Sequence, residues 1–343
     1  MTRCIELAKL GLGSAAPNPL VGSVIVYKGK IIGEGYHQKC GEAHAEVNAI
    51  NSVKDKSLLS KSTIYVNLEP CAHHGKTPPC ADLIVENKIP RVVIACIDIF
   101  AKVSGKGIEK LKKGGCDVTL GVLEKESLEL NRRFFTFHSK KRPYIILKWA
   151  ETLDGFIDKY RSSSDPIEPI WITNSLSKIL VHKWRTEETA FMIGTNTAMF
   201  DNPQLTVREW NGRNPVRIVL DKKLRLKNTL KIFDSAATTF IFNEQKDEIK
   251  ENLHFIKTNF TDNSLKEILN ILYQKEIQSV VVEGGKELLD SFIDQNLWDE
   301  ARVFVGKVKF GNGVMAPFFN YIADKEVFIN ESKLMFYRNE FDK

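Results

Sequence analysis

The sequence predicts an α/β protein built from two domains. Short apolar runs typical of strands alternate with helical segments through the first 142 residues, which indicates a three-layer α/β domain with its site at the strand ends. A length of 343 residues is long for one domain and comfortable for two. The basic segment 139–143, which ends in proline, separates the halves. We therefore predict domains at 1–142 and 143–343.

Composition narrows the class of protein. A hydrophobic content of 43% with 27% charged residues is typical of a globular, water-soluble chain. The net charge of +6 is mild and no dense Lys/Arg block occurs, so we expect anionic small substrates and no nucleic-acid partner. There is no signal peptide and no 18-residue apolar run, and all six cysteines precede residue 117, which predicts a cytoplasmic protein without a membrane partner. We also predict a homo-oligomer.

The elements of the first domain can be predicted in order. A helix over 2–12 ends at Gly11 and Gly13, and the rigid turn Pro17-Asn18-Pro19 leads into a strand at 21–27. Residues 28–30 predict a hairpin turn into a strand at 31–37. Further helices are predicted at 43–53, 80–87, 107–113 and 124–137, and further strands at 63–68, 91–95 and 117–120.

The second domain opens with a strand at 144–150 and a turn at 153–155. Thr173 or Asn174 is expected to cap a helix at 177–186, and a second amphipathic helix is expected at 265–275. Strands are predicted at 190–193, 216–220, 238–242 and 279–282. The glycine corner after the last strand could admit a dinucleotide pyrophosphate to a helix start, although an ordinary strand-to-helix turn is the commoner explanation.

The metal-binding chemistry is concentrated in a few residues of the first domain. His44 stands two residues before Glu46, and Cys71 and Cys80 follow a strand that ends in Glu69-Pro70. One imidazole and two thiolates can hold zinc with a fourth position left for water, and a nearby carboxyl group can move protons. This pattern matches the signature of zinc nucleobase deaminases, in which the glutamate is not a metal ligand.

One spacing departs from that signature, because eight residues separate Cys71 from Cys80 where most such deaminases have two. The inserted loop contains His73 and Lys76, whose polar and cationic groups suit a phosphorylated substrate. Two alternatives stay open on the residues alone. The cysteines could be inert core thiols, or Cys40 could complete a four-ligand structural zinc site.

Several motifs occur together in a characteristic order. They are Pro17-Asn18-Pro19-Leu20-Val21-Gly22, His44-Ala45-Glu46, the run 68–80, the segment 148–155, Trp171-Ile172-Thr173 and the segment 201–208. Over nearly the whole chain, this set resembles the RibD family of bifunctional riboflavin-biosynthesis enzymes. The extended loop between the two cysteines is the most specific part of the resemblance.

The resemblance implies a cytidine-deaminase-like fold for the N-terminal domain. Such a domain would remove the 2-amino group of a phosphoribosylamino-pyrimidinone, with zinc on His44, Cys71 and Cys80 and with Glu46 as the catalytic proton shuttle. The resemblance also implies contacts to the pyrimidine and its phosphoribosyl tail. These contacts would come from Asn18, His37, His73 and Lys76.

For the C-terminal domain the resemblance implies a dihydrofolate-reductase-like fold that uses NADPH to reduce the ribose to a ribityl chain. The implied cofactor contacts are Ala150, Glu151, Trp171, Thr197, Asp201, Gly284, Gly285 and Lys286. The implied substrate contacts are Arg185, Leu205, Arg208 and Glu283. Two arginines suit a ribose phosphate because their forked donors match its oxygens.

Two positions depart from the family pattern. Pro169 stands where the family usually has a serine, so this position cannot supply the serine hydroxyl that the resemblance implies as a substrate contact. Residues 98–101 replace an Asp-Pro-Asn-Pro run ahead of Val103, Gly105 and Gly107, so one wall of the deaminase pocket could differ.

Other functions remain open from the sequence. One is a deaminase of another nucleobase, for example in tRNA, with an inactive or altered reductase half. The long cysteine loop argues against it. Another is a zinc-stabilised binding module without catalysis, and the presence of Glu46 argues against that.

Overall fold

A five-stranded sheet forms the centre of the first of two units. The computed structural model describes residues 1–72, 78–99, 105–162 and 164–339, and it divides between residues 141 and 142. The strands of the first unit are β1 (Gly22–Tyr27), β2 (Lys30–Tyr36), β3 (Thr63–Leu68), β4 (Arg91–Cys96) and β5 (Asp117–Leu120). Its helices are α1 (Thr2–Lys9), α2 (Ala45–Ser52), α3 (Cys80–Glu86), α4 (Lys106–Lys113), α5 (Glu124–Leu130) and α6 (Arg132–Lys140), with a short 3-10 helix at Lys56–Lys61.

The strand order in this sheet is β2-β1-β3-β4-β5. The first three strands pair antiparallel and the last three parallel. Alternate residues of β1 face opposite ways, because Val24 packs against α1 whereas Ile25 packs against α2. Helices α2, α3 and α4 cover one face and α1 and α5 the other, which confirms the predicted three layers.

Close packing of α2 on β2 depends on a glycine. A Cβ atom at Gly35 would lie 2.4 Å from the main-chain nitrogen of Ala49, so only glycine lets the helix approach this closely. This approach fixes the start of α2, where the predicted metal and proton-transfer residues stand. His44 is the N-cap of α2, one residue outside the helix in which it was predicted.

The helix predicted over 124–137 is two helices, α5 and α6, which meet at Asn131. The Asn131 side chain is buried and bonds the main chain of Leu20 in both directions, accepting from its N–H at 2.7 Å and donating to its carbonyl at 3.0 Å. The prediction missed this break because apolar periodicity does not reveal a tertiary partner for an amide side chain.

A ten-stranded sheet forms the centre of the second unit. Its strands are β6 (Tyr144–Glu151), β8 (Ala190–Gly194), β9 (Val216–Leu220), β10 (Thr239–Asn243), β11 (Glu248–Lys250), β12 (Leu253–Lys257), β13 (Ser279–Val282), β14 (Glu300–Val305), β16 (Lys325–Ile329) and β17 (Ser332–Arg338). A separate pair joins β7 (Phe156–Asp158) to β15 (Val314–Met315). The helices are α7 (Ser175–Glu187), α8 (Thr195–Asp201), α9 (Ser264–Gln274) and α10 (Lys286–Asp294), with a 3-10 turn at Lys231–Phe233.

The order of the large sheet is β11-β12-β10-β9-β8-β13-β6-β14-β17-β16. The seven strands from β12 to β14 run parallel, and the strands beyond them at each edge are antiparallel. Residues of β6 alternate between two cores, with Leu147 packed among residues of α9 and α10 and Ile146 packed among residues of α7. Strands buried on both faces explain the continuous apolar runs in this half of the sequence.

The helix cap and four of the strands predicted for the second unit are confirmed. Asn174 caps α7, since its side-chain oxygen accepts the N–H of Ser177 at 2.9 Å, and the strands at β8, β9, β10 and β13 are confirmed. Helix α8 was not predicted, because its seven residues are too few to show a helical repeat. Strands β11, β12, β14, β16 and β17 were also not predicted. Among the described residues, no helix combines the length and apolarity needed to cross a bilayer.

Candidate active sites

Three side chains from separate elements meet in the first unit. The Nδ1 atom of His44 lies 3.3 Å from Sγ of Cys80 and 3.6 Å from Sγ of Cys71, and all three potential ligand atoms lie within 4.8 Å of one another. His44 precedes α2, Cys71 follows β3, and Cys80 is the first residue of α3. The fold therefore brings together the three predicted metal ligands, which are separated by up to 36 residues in sequence.

The donor set and its dimensions fit zinc. In a tetrahedral zinc site, metal–sulfur bonds of about 2.3 Å and metal–nitrogen bonds of about 2.0 Å place neighbouring ligand atoms roughly 3.5 Å apart. The measured separations of 3.3 and 3.6 Å agree with that spacing. Cys40 is exposed and is not part of the cluster found among the described residues, so the alternative of a fourth protein ligand receives no support there.

Hydrogen bonds prepare Cys71 for the thiolate form. A hydrogen bond from the Cys80 thiol lowers the pKa of Cys71, and a hydrogen bond with His44 acts in the same direction. The main-chain N–H at the start of α3 also donates to the Cys71 sulfur, at 3.3 Å. The same pairing with Cys71 raises the pKa of His44. A thiol must be deprotonated to bind a metal, and this environment favours the thiolate at Cys71, while the hydrogen bond to Cys71 raises the pKa of Cys80.

Glu46 stands in the first turn of α2, one helical position after Ala45, and is only 4% exposed. Burial, reinforced by the negative charge of Cys71, raises the pKa of Glu46 to about 7. A carboxyl group with a pKa near neutrality can both take up and release a proton under ordinary conditions. Glu46 lies close enough to His44 and Cys71 to interact with both electrostatically, but it is not part of the cluster of potential ligands found among the described residues.

Asn18 and His37 form the next layer of the site. The His37 ring lies across the His44 ring with centroids 5.4 Å apart, and its Nδ1 donates to the carbonyl of Ala43 at 3.1 Å. Because that carbonyl can only accept, Nε2 of His37 is free to accept from the Asn18 amide at 3.0 Å. Two predicted substrate residues are thereby linked to a predicted ligand. His73 and Lys76, the other two, lie outside the described residues.

The second unit contains a buried group of three charges. Lys148 of β6 and Arg185 of α7 both face Glu283, which directly follows β13, at 3.4 and 3.5 Å. Burial alone would raise the pKa of Glu283, but the charges of Lys148 and Arg185 outweigh it and hold that pKa below its usual value. Arg185 and Glu283 were predicted as substrate contacts. Lys148 was not, because a single lysine in an apolar strand resembles an edge residue.

Arg208 lies beside this charged group and is positioned by α7. The imidazole Nδ1 of buried His182 accepts the main-chain N–H of Arg208 at 2.9 Å, and the Arg208 guanidinium contacts Oγ1 of Thr206 at 3.2 Å. Arg185 donates to the main-chain oxygen of Thr206 at 3.0 Å. Two arginines therefore approach the same turn. Leu205, predicted to line the substrate, is buried in the core with φ of +55°.

A cavity of about 690 Å³ lies at the strand ends of the second unit. Four of the predicted cofactor residues line it, namely Thr197, Asp201, Gly285 and Lys286. Helices α8 and α10 both begin there, after their N-cap residues Gly194 and Gly285, and helix N-termini favour an anion such as a pyrophosphate. Its volume is in the range of ligand and cofactor pockets. The residues present therefore fit a dinucleotide.

Asp201 is held at the cavity by Arg161 at 2.9 Å, and burial raises the pKa of Asp201 to about 6. Three other predicted cofactor contacts are not among the residues that line this cavity, and neither is Gly284. Ala150 and Glu151 end β6, where the Glu151 carboxylate accepts from the Trp149 indole at 2.8 Å. Trp171 is 58% exposed beneath the Lys178 ammonium.

Sequence reasoning missed residues that position the sites without touching a ligand. Asn67 and Asn131 bond the main chain around Leu20, next to the Asn18 turn, and His182 fixes Arg208. Buried amides and imidazoles have no periodic pattern, so only a spatial partner reveals them.

Family models and known proteins match both units. Residues 1–96 match the cytidine and deoxycytidylate deaminase zinc-binding region, and residues 143–324 match the RibD C-terminal domain. The riboflavin biosynthesis protein RibD of Aquifex aeolicus is 41% identical over 92% of this chain and 88% of its own length. RibD of Escherichia coli is 33% identical over 91% and 88%. These matches confirm the predicted folds, which are cytidine-deaminase-like in the first unit and dihydrofolate-reductase-like in the second.

A solved structure from Thermotoga maritima, of a diaminohydroxyphosphoribosylaminopyrimidine deaminase/5-amino-6-(5-phosphoribosylamino)uracil reductase, superposes with a TM-score of 0.88. It is 39% identical, and the match covers 98% of this chain and 97% of that one. RibD of Acinetobacter baumannii gives a TM-score of 0.86 at 32% identity, covering 98% and 96%. The chain therefore belongs to the RibD family and is a bifunctional deaminase and reductase of riboflavin biosynthesis that uses zinc and NADPH.

Proposed function

We propose that the two reactions are divided between residues 1–142 and 143–343, with deamination at the His44, Cys71 and Cys80 cluster. The substrate of the first step is 2,5-diamino-6-(5-phosphoribosylamino)pyrimidin-4(3H)-one, and the product of the second is 5-amino-6-(5-phosphoribitylamino)uracil. The observation that supports this assignment best is the approach of one imidazole nitrogen and two thiol sulfurs to within 4.8 Å beside a buried glutamate.

Deamination exchanges an amino group for oxygen from water and releases ammonia. Zinc, when bound, supplies a Lewis acid that lowers the pKa of water. Glu46 takes a proton from the water, passes it to the ring nitrogen beside the attacked carbon, and a second proton transfer completes the departing ammonia. The amide of Asn18 and the imidazole of His37, fixed to each other at 3.0 Å, orient the pyrimidine ring.

In the second reaction NADPH supplies a hydride, and the protein aligns the opened sugar with the cofactor. The cavity between the starts of α8 and α10 holds the dinucleotide, with Thr197, Asp201, Gly285 and Lys286 along its wall. Arg208 and Arg185 bind the substrate phosphate. Arg208 suits this role because its guanidinium makes contacts with Thr206 and Gln204 but has no carboxylate partner among the described residues.

We infer that the substrate is a phosphorylated pyrimidine and that the enzyme is cytoplasmic and homo-oligomeric, without nucleic-acid or membrane partners. All six cysteines are free thiols, which supports a reducing compartment. Self-association stays a prediction that sedimentation of the purified chain would test.

A coupled assay tests the assignment. Purified chain loaded with zinc is incubated with the diaminopyrimidinone ribotide, and the product mass is followed with and without NADPH. A gain of one mass unit without NADPH and two further units with it is expected. No mass change in the presence of bound zinc would contradict the proposal, whereas the first gain alone would confine the failure to the second unit.

A further inference from the structure

The carboxylate of Glu69, two residues before Cys71, accepts several hydrogen bonds. It is 4% exposed and accepts four main-chain N–H groups from a separate part of the chain. Oε1 accepts from Gly107 at 2.9 Å and from Ile108 at 3.2 Å, and Oε2 accepts from Gly105 at 3.0 Å and from Asp98 at 3.2 Å. Both oxygens of the carboxylate are therefore occupied by donors.

These bonds make Glu69 the cap of a helix to which it does not belong. Helix α4 begins after Gly105, which has φ of +75° and no side chain to accept the first amides of the helix. Glu69 satisfies the amides of Gly107 and Ile108 in the first turn of α4. A negative charge at this end of a helix is also favoured by the helix dipole.

The same turn of α4 presses against the chain just before Cys71. A Cβ atom at Gly107 would lie 2.0 Å from the carbonyl oxygen of Pro70, a distance that no side chain tolerates. Two residues after Glu69, the sulfur of Cys71 accepts the N–H of Cys80 at the start of α3. The short segment 69–71 thus bonds the beginnings of two helices, one through a carboxylate and one through a metal-binding sulfur.

We propose that Glu69 is a positioning residue of the metal centre, which fixes the first turn of α4 against Pro70 and thereby holds the Cys71 sulfur at the spacing that zinc requires. The inference rests on the proposed assignment of zinc to His44, Cys71 and Cys80. It also gives a role to Gly105 and Gly107, which follow the segment where this chain departs from the family pattern.

Two variants disturb the contact in independent ways. Glu69→Gln has the same size, but it replaces one carboxylate oxygen by an amide nitrogen. That nitrogen cannot accept hydrogen bonds from the two N–H groups that it faces. Gly107→Ala keeps the carboxylate and pushes the α4 turn away from Pro70. Asp55→Asn is the matched control, because Asp55 also accepts a main-chain N–H, that of Ser57 at 3.0 Å, but caps the 3-10 helix at Lys56–Lys61.

The full-length chain is loaded with zinc, and zinc release to a chromophoric chelator is followed with the deaminase kcat and KM. Groups that orient metal ligands typically change metal affinity or activity by about 10- to 100-fold. We expect zinc release to quicken and kcat to fall by that factor in both test variants, with KM nearly unchanged. NADPH-dependent reduction of the deaminated intermediate reports the folding of the second unit and should stay within about twofold of wild type.

Zinc release and kcat at the wild-type level in Glu69→Gln and Gly107→Ala would overturn the proposal, even if both variants unfold at a lower temperature. If Glu69→Gln does not fold, Gly107→Ala decides the question alone. The proposed function fails in a different way, since a wild-type chain that binds zinc without deaminating the ribotide would still allow zinc release to be compared.

Discussion

The proposed metal site of the first unit takes its ligands from His44 and from the stretch 71–80, whereas the charged group of the second unit takes Lys148, Arg185 and Glu283 from elements spread over 136 residues. The first cluster consists of one imidazole and two thiol groups, which are typical ligands of zinc. The second consists of ordinary charged side chains, two cations around one carboxylate, which leaves one positive charge in excess. Their sequence signatures differ accordingly.

The difference reflects how much chemistry the protein itself must supply. A metal requires a fixed set of donors at fixed distances, so few residue types can occupy those positions. In the reductase, the cofactor carries the hydride, and the protein needs only to orient two molecules and balance charge. Many residues can share that task, so each of them is harder to recognise in the sequence than a metal ligand is. We expect the two units to differ also in how far the loss of one side chain lowers their catalytic efficiency.

The largest effect should come from Glu46→Gln. A general acid and base contributes about 10²- to 10⁴-fold to rate, so the deaminase kcat should fall by that factor. Zinc content should not change because Glu46 is not one of the three clustered ligands. The measurement is deamination of the ribotide, with metal analysis of the same sample.

Reduction of the deaminated intermediate is the internal control for Glu46→Gln and should proceed at the wild-type rate. Deamination at an unchanged rate would show that Glu46 does not transfer protons in the reaction. It would also show that the first unit is no more sensitive than the second to the loss of a single side chain.

Arg208→Ala should weaken the reductase less severely. A hydrogen-bonded charge pair is worth about 1.5–3 kcal/mol, so the KM for the deaminated intermediate should rise by roughly 10- to 100-fold with little change in kcat. The deaminase kinetics should be unaffected. Arg91→Ala, which removes an exposed guanidinium of the first unit paired with Asp117 at 3.7 Å, is the matched control. Equal KM values for the two variants would contradict a phosphate-binding role.

His182 links the stability of the second unit to pH. Burial, followed by the charges of Arg185 and Arg208, lowers the pKa of His182 to about 4, with Glu209 opposing and Lys178 assisting. The unfolded chain binds this proton near pH 6.5 and the folded chain does not, so stability present above pH 6.5 is lost as the pH falls toward 4. His182→Asn keeps an acceptor for Arg208 but cannot titrate.

Relative to its value at pH 7.5, the free energy of unfolding of wild type at pH 5 should therefore fall by about 1–2 kcal/mol more than that of His182→Asn. Urea unfolding followed by tryptophan fluorescence measures this, because all five tryptophans lie in the second unit and none in the first. Parallel pH dependence in the two proteins would show that His182 does not stay neutral in the folded state.

The smallest effect should come from Pro169→Ser, which introduces the hydroxyl that the resemblance to the family implies at this position. Pro169 is exposed in the loop before Trp171, so the fold should not change. A neutral hydrogen bond contributes about 0.5–1.5 kcal/mol, so the reductase KM should fall by roughly two- to tenfold. An inactive wild-type reductase that Pro169→Ser activates would mean that this contact matters more than Arg208.

Much of the fold could be predicted because apolar periodicity is local. The strands at β1, β3, β4, β8, β9 and β13 follow continuous apolar runs, and α7 follows a capping asparagine. The break between α5 and α6 could not be predicted, because Asn131 is committed to a main-chain partner 111 residues away. Helix α8 escaped prediction because its seven residues offer no repeating face.

The sequence by itself determined the chemistry available to this protein. Two thiols, an imidazole and a carboxyl group at family-specific spacings indicate a zinc deaminase in the first unit, and the ordered motifs of the second half indicate the reductase. Such residues can be recognised in the sequence because few other side chains can bind a metal or transfer a proton at neutral pH.

Only the tertiary structure decided which groups support that chemistry. Glu69, Lys148 and His182 have ordinary identities, and their importance comes from burial beside specific partners. A buried polar group must find donors or acceptors because water cannot supply them, and those partners come from distant parts of the chain. Hydrogen bonds and ion pairs between distant residues are a property of the fold, so no local sequence pattern predicts them.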